Sequence, residues 1–297
     1  MLPYIWTGGI AMDWIKGFQR SIDYIEEHIC EPADMERIAR EMNISGFYYQ
    51  KIFSIICGSS AGEYIRNRRL ALAGKELADC GGKVIDIALK YGYDTPEGFT
   101  RAFTRFHGAS PTAVKNRTAI PKSFAKLSVS ITVKGGSIMD YKIVKKNPFK
   151  VLERVEKHTI VDSENKNTIP EFWTRAHSDG TVKTLLEKTS DKTYIFGICY
   201  GSISQTFDYG IAAVCGDNCE VPDGFRISEI PARTWAVFEV TGAMPNAIQE
   251  MWHRIATEFF PSSEYQPTYE MDIEAYPAGV MNSFDYRSEI WVPLADK

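Results

Sequence analysis

Residues 84–111, VIDIALKYGYDTPEGFTRAFTRFHGASP, contain the pattern that decides the fold of the N-terminal part of the chain. Apolar residues recur at helical spacing through 84–90, and Gly92 then permits the left-handed backbone of a tight turn. Thr95 can cap a second helix, and Pro96 fits its first position, where a missing N–H is no loss. The buried stripe of that helix has i, i+3, i+4 and i+7 spacing: Phe99, Ala102, Phe103 and Phe106. The segment is therefore predicted to form a helix-turn-helix unit.

The same unit occurs once more, at a spacing of 50 residues. The stretch 53–61, FSIICGSSA, aligns with 103–111, FTRFHGASP. Asn43 takes the place of the turn glycine and Ser45 the place of the capping threonine. A long helix from about 63 to 78 joins the two copies. Each copy of an internal repeat is one supersecondary unit, so residues 12–117 are predicted to form an all-α domain with two helix-turn-helix units.

The second helix of each unit has a side that packing does not use, and such a side can enter a DNA major groove. Lysine and arginine donate to guanine, glutamine pairs with adenine, and phenylalanine contacts the thymine methyl group. A solvated helix face is the alternative for one unit alone, but two units in register, each with a basic residue at the matching position, favour double-stranded DNA. The predicted DNA-binding residues are Phe47, Gln50 and Lys51 in the first unit, and Glu97, Thr100 and Arg101 in the second.

This domain resembles the DNA-binding domain of the AraC/XylS family of transcription regulators. The resemblance rests on Ile38-Ala39, Tyr49-Gln-Lys-Ile-Phe53, Ile87-Ala88, Phe99-x-Arg-x-Phe103 and Gly108-x-Ser-Pro111. It implies that a single chain can meet two successive major grooves, so that a monomer or weak homodimer is expected. One departure is that Pro96 and Gly98 occupy the start of the second reading helix, which the family often makes polar. That helix is therefore expected to contact mainly the DNA backbone.

The C-terminal part is a second internal repeat, reached through a linker at 118–138. Phe149-Lys-Val-Leu-Glu153 resembles Trp235-Ala-Val-Phe-Glu239, and each strand is followed by a predicted helix, at 169–186 and 245–259. The tripeptide Phe-Asp-Tyr opens a later strand in both copies, at 207–209 and 284–286. Residues 139–297 are therefore predicted to form an α+β domain of two strand-helix-strand-strand modules with a mostly antiparallel sheet.

The last strand carries a carboxylate where its counterpart is apolar. Aligning the tripeptides places Glu289 opposite Ala212 and Trp291 opposite Val214. An unpaired buried carboxylate costs several kcal/mol or shifts its pKa, so a strand gains nothing from the change unless the charge has a use. The alternatives are a partner such as Arg233 or Arg254, plain exposure, or a ligand site.

This half resembles the GyrI-like effector-binding domain, on the basis of Pro170-x-Phe-Trp173, Ala236-Val-Phe238, Asp272-Ile-Glu-Ala-Tyr276 and Glu289-Ile-Trp-Val-Pro293. In that family a glutamate in a cleft between the modules neutralises cationic, aromatic ligands. The resemblance transfers this role to Glu289 and Trp291. Further lining residues are expected from the aromatic and acidic positions of the same motifs: Phe172, Trp173, Trp252, Tyr286, Glu274 and Tyr276.

Charge distribution, cysteine content and hydropathy bear on the partners and the location of the protein. Residues 1–136 hold 18 Lys and Arg against 14 Asp and Glu, whereas 137–297 hold 16 against 24, which joins a mildly basic half to an acidic one. The six cysteines show no paired framework, and no apolar run approaches the roughly 20 residues of a membrane span, so a cytoplasmic protein is expected. Cys215 and Cys219 could form a metal or redox pair, but incidental cysteines are favoured. Met12 is the expected natural start.

Two functions follow from these patterns. The favoured one is a ligand-responsive transcription regulator, expected from the resemblance to be an activator that contacts RNA polymerase, with no catalytic activity, metal or cofactor. The alternative is a hydrolase of small electrophilic compounds fused to a DNA reader, with Glu289 activating water.

Overall fold

The computed structural model describes residues 9–129, 139–189, 191–201, 205–268 and 270–295. Its N-terminal part is helical, and its C-terminal part combines helices with one sheet. The helices up to residue 115 are α1 (Gly9–Glu27), α2 (Met35–Arg40), α3 (Gly46–Cys57), α4 (Ala61–Cys80), α5 (Val84–Lys90), α6 (Pro96–His107) and α7 (Pro111–Lys115).

Helices α2 and α3 form the first helix-turn-helix unit, as predicted. The Asp34 side chain accepts from two backbone N–H groups at the start of α2, and Ser45 accepts from the N–H of Tyr48 at the start of α3. Between them Asn43 takes the left-handed conformation, with φ of 56°. These side-chain caps satisfy N–H groups that a helix cannot bond internally, so the turn is fixed by its local sequence.

Helices α5 and α6 form the second unit in the same way. Thr95 accepts from the N–H of Gly98, and Gly92 occupies the turn with φ of 81°. Phe99 and Phe103 are fully buried below α6, as the stripe predicted. The predicted second copy of the unit is thereby confirmed in structure.

Helix α4 connects the units and takes part in both of their cores. It begins with a capping box, in which Ser60 and Glu63 bond each other's backbone N–H groups. Tyr64 packs into the first core with Phe18, Tyr49 and Phe53, whereas the C-terminal half of α4 contributes Leu70 and Leu77 to the second core. Because one continuous helix belongs to two cores, the units have a fixed separation.

The described part of the linker, 118–129, contains neither helix nor strand and runs from the second core, where Ala119 packs, to the first core. The ring of Phe124 lies 6.0 Å from that of Tyr64, whose hydroxyl accepts from the N–H of Leu127. The remainder of the predicted linker, 130–138, lies outside the described residues.

The C-terminal elements follow two similar modules with one additional strand each. The elements are β1 (Tyr141–Lys146), β2 (Phe149–Thr159), a 3-10 turn (Val161–Ser163), α8 (Asn165–Ser178), α9 (Thr181–Lys188), β3 (Tyr194–Tyr200), β4 (Thr206–Cys215), β5 (Arg226–Ile230), β6 (Arg233–Thr241), α10 (Asn246–Arg254), a π-helical turn (Ile255–Phe259), α11 (Phe260–Ser262), β7 (Met271–Pro277) and β8 (Arg287–Leu294).

The strands form an eight-stranded sheet in the order β1-β6-β8-β7-β3-β4-β2-β5, and every paired neighbour is antiparallel. The modules β2-α8-α9-β3-β4 and β6-α10-β7-β8 meet at the central pair of β3 and β7. This arrangement confirms the predicted α+β fold and its duplicated module. The outer strands β1 and β5 are additional to the predicted modules.

Three local predictions need correction. The helix expected over 169–186 is interrupted at Gly180, whose φ of 88° ends α8 and starts α9. The helix expected over 245–259 changes to a π-helical turn after Arg254. The second Phe-Asp-Tyr tripeptide precedes β8 instead of opening it, and Phe284 is 86% exposed, whereas the first lies within β4.

The two faces of the sheet bury different residues. The face covered by α8 to α10 packs Leu152, Ile211, Phe238 and Ile290 beneath the helices. The opposite face has its own apolar cluster, which includes Phe196, Ile198, Trp235, Ile273 and Trp291. Since side chains alternate along a strand, each residue of β7 and β8 belongs to only one of these faces.

Candidate effector cleft and DNA-reading helices

A carboxylate lies at the centre of the helix-covered face, where the two modules meet. Glu274 is on the central strand β7, opposite Gly197 of β3. The indole N–H of Trp252, on α10, donates to Glu274 Oε1 at 2.8 Å, and the hydroxyl of Tyr276 donates to Oε2 at 2.8 Å. The side chain is therefore held in one orientation by two aromatic donors, and we call the set of side chains around it the effector cleft.

The other wall of this cleft comes from the first module. Trp173, on α8, donates its indole N–H to the hydroxyl of Tyr209 at 3.0 Å, and its ring lies edge-on to Tyr276 with centroids 5.3 Å apart. The Tyr209 hydroxyl is 3.5 Å from Glu274 Oε2. A Cβ at Gly197 would come within 2.1 Å of that hydroxyl, so the glycine makes room for Tyr209.

The electrostatics of the cleft follow from its aromatic lining. Burial raises the pKa of Glu274, and the hydrogen bond from Trp252 opposes part of that rise. Burial also raises the pKa of Tyr209 and of Tyr276 well above the ordinary value, and the charge of Glu274 adds to the effect. The two hydroxyls therefore remain protonated donors, and aromatic side chains surround the carboxyl group of Glu274.

A cation from the DNA-binding domain lies at the mouth of the cleft. The ammonium group of Lys51 is 2.5 Å from Asp272 Oδ2 and 4.3 Å from the ring centroid of Trp252. The two charged side chains are only 18% and 13% exposed. Burial lowers the pKa of Lys51, but the charge and hydrogen bond of Asp272, together with smaller contributions from Cys199 and Glu274, outweigh burial and raise the pKa to about 12.

The other residues of α3 that are predicted to read DNA lie beside Lys51 on the same helix. The ring of Phe47 is 3% exposed and packs against Phe207 of β4, with centroids 5.2 Å apart. Gln50 is 6% exposed and donates its side-chain amide to the carbonyl of Gly46. All three DNA-binding residues predicted in the first unit therefore have little exposure in this structure, and Phe47 and Lys51 contact the C-terminal domain.

The predicted residues of the second unit have different surroundings. Glu97 and Arg101 are exposed on α6, and Thr100 is partly buried beside the core residue Phe99. No described residue of the C-terminal domain covers Glu97 or Arg101, as their exposure shows. Helix α6 thus presents its reading face to solvent while α3 does not.

The structure separates two of the predicted ligand residues from the cleft. Glu289 and Trp291 lie on the opposite face of the sheet, where the Trp291 indole N–H donates to Glu289 Oε2 at 2.7 Å. The ammonium of Lys146 sits 4.0 Å above the Trp291 ring. Glu289 and Trp291 therefore do not lie beside Glu274, because Ile290 is the residue of β8 that faces the helices, and the ligand-binding role of the pair stays a prediction.

The remaining predicted lining residues lie on the helix-covered face. Trp173, Trp252, Glu274 and Tyr276 line the cleft directly. Phe172 is 1% exposed and belongs to the core beneath α8, and Tyr286 donates its hydroxyl to the carbonyl of Pro277. The two arginines considered as partners of Glu289 pair elsewhere, Arg233 with Glu270 and Arg254 with Glu258.

Comparison with known proteins agrees with this architecture. A family model described as integron-associated effector binding protein, Cass2, matches residues 142–294, and a helix-turn-helix domain model matches residues 38–117. The chain belongs to the Cass2 family. Its helix-turn-helix half is of the AraC type and its Cass2 half is GyrI-like, so this Cass2 protein is a DNA-binding transcription regulator with an effector-binding domain.

The curated relatives match the DNA-binding half of this Cass2 protein. Regulatory protein SoxS of Salmonella typhimurium is 35% identical over 99 residues, which are 33% of this chain and 92% of SoxS. The transcriptional activator AarP of Providencia stuartii is 38% identical over 88 residues, 30% of this chain and 65% of AarP. The regulator YbfP of Bacillus subtilis is 36% identical over 104 residues, but the match spans only 35% of either protein.

Solved structures match the Cass2 half. SAV2435 bound to tetraphenylphosphonium has a TM-score of 0.49 and 22% identity, and the match covers 53% of this chain and 94% of that chain. The integron cassette protein VCH_CASS2 of Vibrio cholerae has a TM-score of 0.39 and 21% identity, with 52% and 95% covered.

Several residues of the Cass2 cleft were not found from the sequence, above all Asp272 and Tyr209. A signal for the cleft exists in the duplicated module. Ala212 pairs with Phe196, and Glu289 pairs with Ala275, so Phe196 corresponds to Ala275 and Ile195 to Glu274. The central strands thus show the same replacement of an apolar residue by a carboxylate that singled out Glu289.

The part of this Cass2 protein that the structure describes contains no group of three or more His, Cys, Asp and Glu side chains arranged for a metal ion. Cys215 is buried, and burial, with a contribution from Cys219, raises its pKa to about 11, as expected for an unreactive thiol. Within the same residues, no helix has both the length and the hydropathy of a membrane span.

Proposed function

We propose that the chain is a cytoplasmic transcription regulator whose DNA binding is controlled by a small, lipophilic, aromatic cation bound in the effector cleft. The observation that carries the ligand class is Glu274, a recessed carboxylate oriented by Trp252 and Tyr276 and faced by Trp173 and Tyr209. A cation replaces the lost hydration of such a carboxylate, and aromatic faces attract it through cation–π contact.

The shape of the lining supports an aromatic ligand. Two indole rings, from helices of different modules, flank the carboxylate, and both indole N–H groups are already bonded within the protein. What they offer a ligand is therefore their ring faces and edges. Glu289 sits on the other side of the sheet, so we assign the neutralising role to Glu274 and give Glu289 and Trp291 a place in the opposite core.

Binding without turnover fits the same geometry. Both oxygens of Glu274 accept hydrogen bonds from side chains that keep their protons, which leaves fewer lone pairs to activate a water molecule as a general base would. The relatives of the DNA-binding half are named as regulators, and AarP as an activator. We therefore propose a non-catalytic activator that acts on RNA polymerase at the promoters it binds.

A monomer is sufficient for the proposed DNA contact. The two reading helices are connected through the single helix α4, which belongs to both cores. Units held at a fixed separation along one rod can meet successive major grooves on one side of the duplex. A homodimer would bind DNA more tightly, but it would supply no residue that the monomer lacks.

The proposal is tested by thermal unfolding of the whole protein with tetraphenylphosphonium as the probe, since this compound is an aromatic cation. Binding should raise the melting temperature of the wild type, because the ligand stabilises the state that binds it. Glu274→Gln should weaken binding by about thirtyfold or more, equivalent to at least about 2 kcal/mol. Glu289→Gln is the matched control, and it should bind as the wild type does.

The result that would overturn the assignment is loss of binding in Glu289→Gln with full retention in Glu274→Gln. Mass spectrometry of ligands recovered from the wild type distinguishes binding from hydrolysis. For that arm an ester-bearing aromatic cation serves as the probe, and we expect it to be recovered intact. Its conversion by the wild type, but not by Glu274→Gln, would favour the hydrolase.

A further inference from the structure

The effector cleft of this structure already holds a positive charge, and that charge comes from the DNA-reading helix. Lys51 reaches from α3 across 221 positions of sequence to bond Asp272, two residues from Glu274 on the same strand and the same face. Its ammonium also lies over the Trp252 ring, whose N–H holds Glu274. Lys51 thus makes the two kinds of contact that an aromatic cation would make.

The aromatic part of such a ligand also has a counterpart on α3. Phe47 lies one helical turn before Lys51, on the same side of the helix, and packs on Phe207 of the first module. The ring is nearly inaccessible, and it joins the apolar cluster that also contains Trp173 and Tyr209. One helix therefore delivers a ring to one module and a cation to the other.

We propose that α3 is a tethered occupant of the effector cleft, displaced when a cationic effector binds and thereby released to DNA. This inference rests on the proposed function, because it takes the effector to be a cation. Phe47, Gln50 and Lys51 would serve two surfaces in turn, the cleft in the closed chain and the major groove in the open one. A side chain cannot occupy both places, so the two contacts are mutually exclusive.

The other contacts between the two domains are both polar and apolar. Three polar contacts between described residues of the two domains are long or exposed. The imidazole of His253 is 3.2 Å from the carbonyl of Ile55, Lys166 donates to the carbonyl of Gly58 at 3.2 Å, and Ser163 donates to Glu63 at 3.3 Å. Such contacts contribute little to stability, whereas Ile55 and Ala256 add apolar packing between the domains, so opening has to break this packing as well as the contacts of Lys51 and Phe47.

The direction of control follows from the exclusion. An effector that binds only the open cleft, and DNA that binds only the free α3, both draw the chain from the closed state to the open one. The effector should therefore strengthen DNA binding, and by reciprocity DNA should strengthen effector binding by the same factor.

The test measures DNA binding of the full chain by fluorescence anisotropy, on a duplex enriched from a random pool with the Asp272→Asn protein. Asp272→Asn removes the charge that holds Lys51 without changing the reading face of α3. It should bind DNA between about five- and a hundredfold more tightly than the wild type in the absence of effector. Asp217→Asn, which breaks the exposed ion pair with Lys150 elsewhere in the same domain, is the matched control and should leave DNA affinity unchanged.

A second arm measures tetraphenylphosphonium binding by calorimetry. Lys51→Met removes the tethered charge, so the probe should bind it more tightly than the wild type by a similar factor. Equal DNA affinity of wild type and Asp272→Asn would overturn the inference. So would equal binding of the probe to wild type and Lys51→Met, and in that case the proposed function would stand. Tighter DNA binding by Asp272→Asn with no probe binding to any protein would support the tethered contact and overturn the proposed ligand class.

Discussion

Helices α3 and α6 begin at a hydroxyl cap, end at a left-handed glycine and bury a phenylalanine at the same place in the repeat, yet only α6 turns its reading face to solvent. The difference lies in the residues of that face. Helix α3 offers a ring and a long cation, which fit an aromatic cleft containing Asp272 and Glu274. Helix α6 offers Glu97, which the same carboxylates would repel.

A helix face that is predicted to read DNA can therefore also pack on another domain of its own chain. In the repeat alone, Lys51 and Arg101 are equivalent basic residues. In the folded chain the first closes an interface and the second stays available. Three predictions follow from this contrast, ordered by the size of the expected effect.

The largest expected effect concerns the cores of the two helix-turn-helix units. Phe53 and Phe103 are matching residues of the repeat, and both are fully buried. Phe53→Ala and Phe103→Ala should each lower the free energy of unfolding by about 3–5 kcal/mol, because each leaves a cavity in its unit. Urea unfolding followed by circular dichroism measures the loss. Phe284→Ala, at an 86% exposed ring, is the control and should change stability by no more than about 0.5 kcal/mol.

The second prediction concerns DNA binding, which should reflect the different exposure of Lys51 on α3 and Arg101 on α6. With a saturating cationic effector, Lys51→Ala and Arg101→Ala should each cost about 1–3 kcal/mol of binding free energy, since each removes one basic contact. Without effector, Arg101→Ala should cost the same amount. Lys51→Ala should then cost less, because the substitution also removes the contact that closes the cleft. Anisotropy titrations with and without the ligand measure both, with Lys150→Ala as control, and an equal loss for Lys51→Ala under both conditions would contradict the scheme.

The smallest effect concerns pH. His107 and Cys57 occupy the same place in the repeat. His107 donates from Nε2 to the carbonyl of Leu70 and accepts at Nδ1 from the N–H of Lys122, so it is buried in the neutral form. Burial lowers the pKa of His107 below its ordinary 6.5, whereas burial raises the pKa of Cys57 to about 11.

The sign follows from proton binding. As the pH falls through 6.5, the unfolded chain binds a proton at residue 107 that the folded chain resists, so stability present above that pH is lost below it. Cys57 keeps its proton throughout this range. The wild type should therefore lose more stability than His107→Gln between about pH 7.5 and about pH 5.5. Urea midpoints at both pH values provide the measurement, and an equal loss in the two proteins would argue against a neutral buried imidazole.

The helical half could be predicted from sequence because its signals are local. Ser45, Thr95 and Pro96 fix helix starts within a few residues of themselves, and Asn43 and Gly92 fix the turns. The duplicated sheet module was likewise visible in repeated motifs. Strands β1 and β5 were not predicted, since they are short edge strands with mostly exposed side chains and no clear alternation.

The candidate site was only partly predictable, and the reason is geometric. Alternation shows that Glu289 and Ile290 face opposite ways, but it does not say which face the helices cover. Both faces of this sheet are apolar, so the position of apolar residues does not indicate which face the helices cover. The contact between Lys51 and Asp272 joins distant parts of the chain, and no periodicity or motif carries information about such a pair.

Helix α4 has a consequence for how the protein finds its site. Its 20 residues extend about 30 Å, close to the roughly 34 Å of one turn of DNA. In the closed chain, where α3 is held in the cleft, only α6 contacts the duplex. The chain therefore dissociates quickly, which suits sliding and hopping along DNA. Once α3 is free, it contacts DNA as part of a molecule that is already bound. Its effective concentration is then in the millimolar range that is typical of linked binding modules. The effector would then convert a protein that scans DNA with one helix into a protein that stays at its site with two.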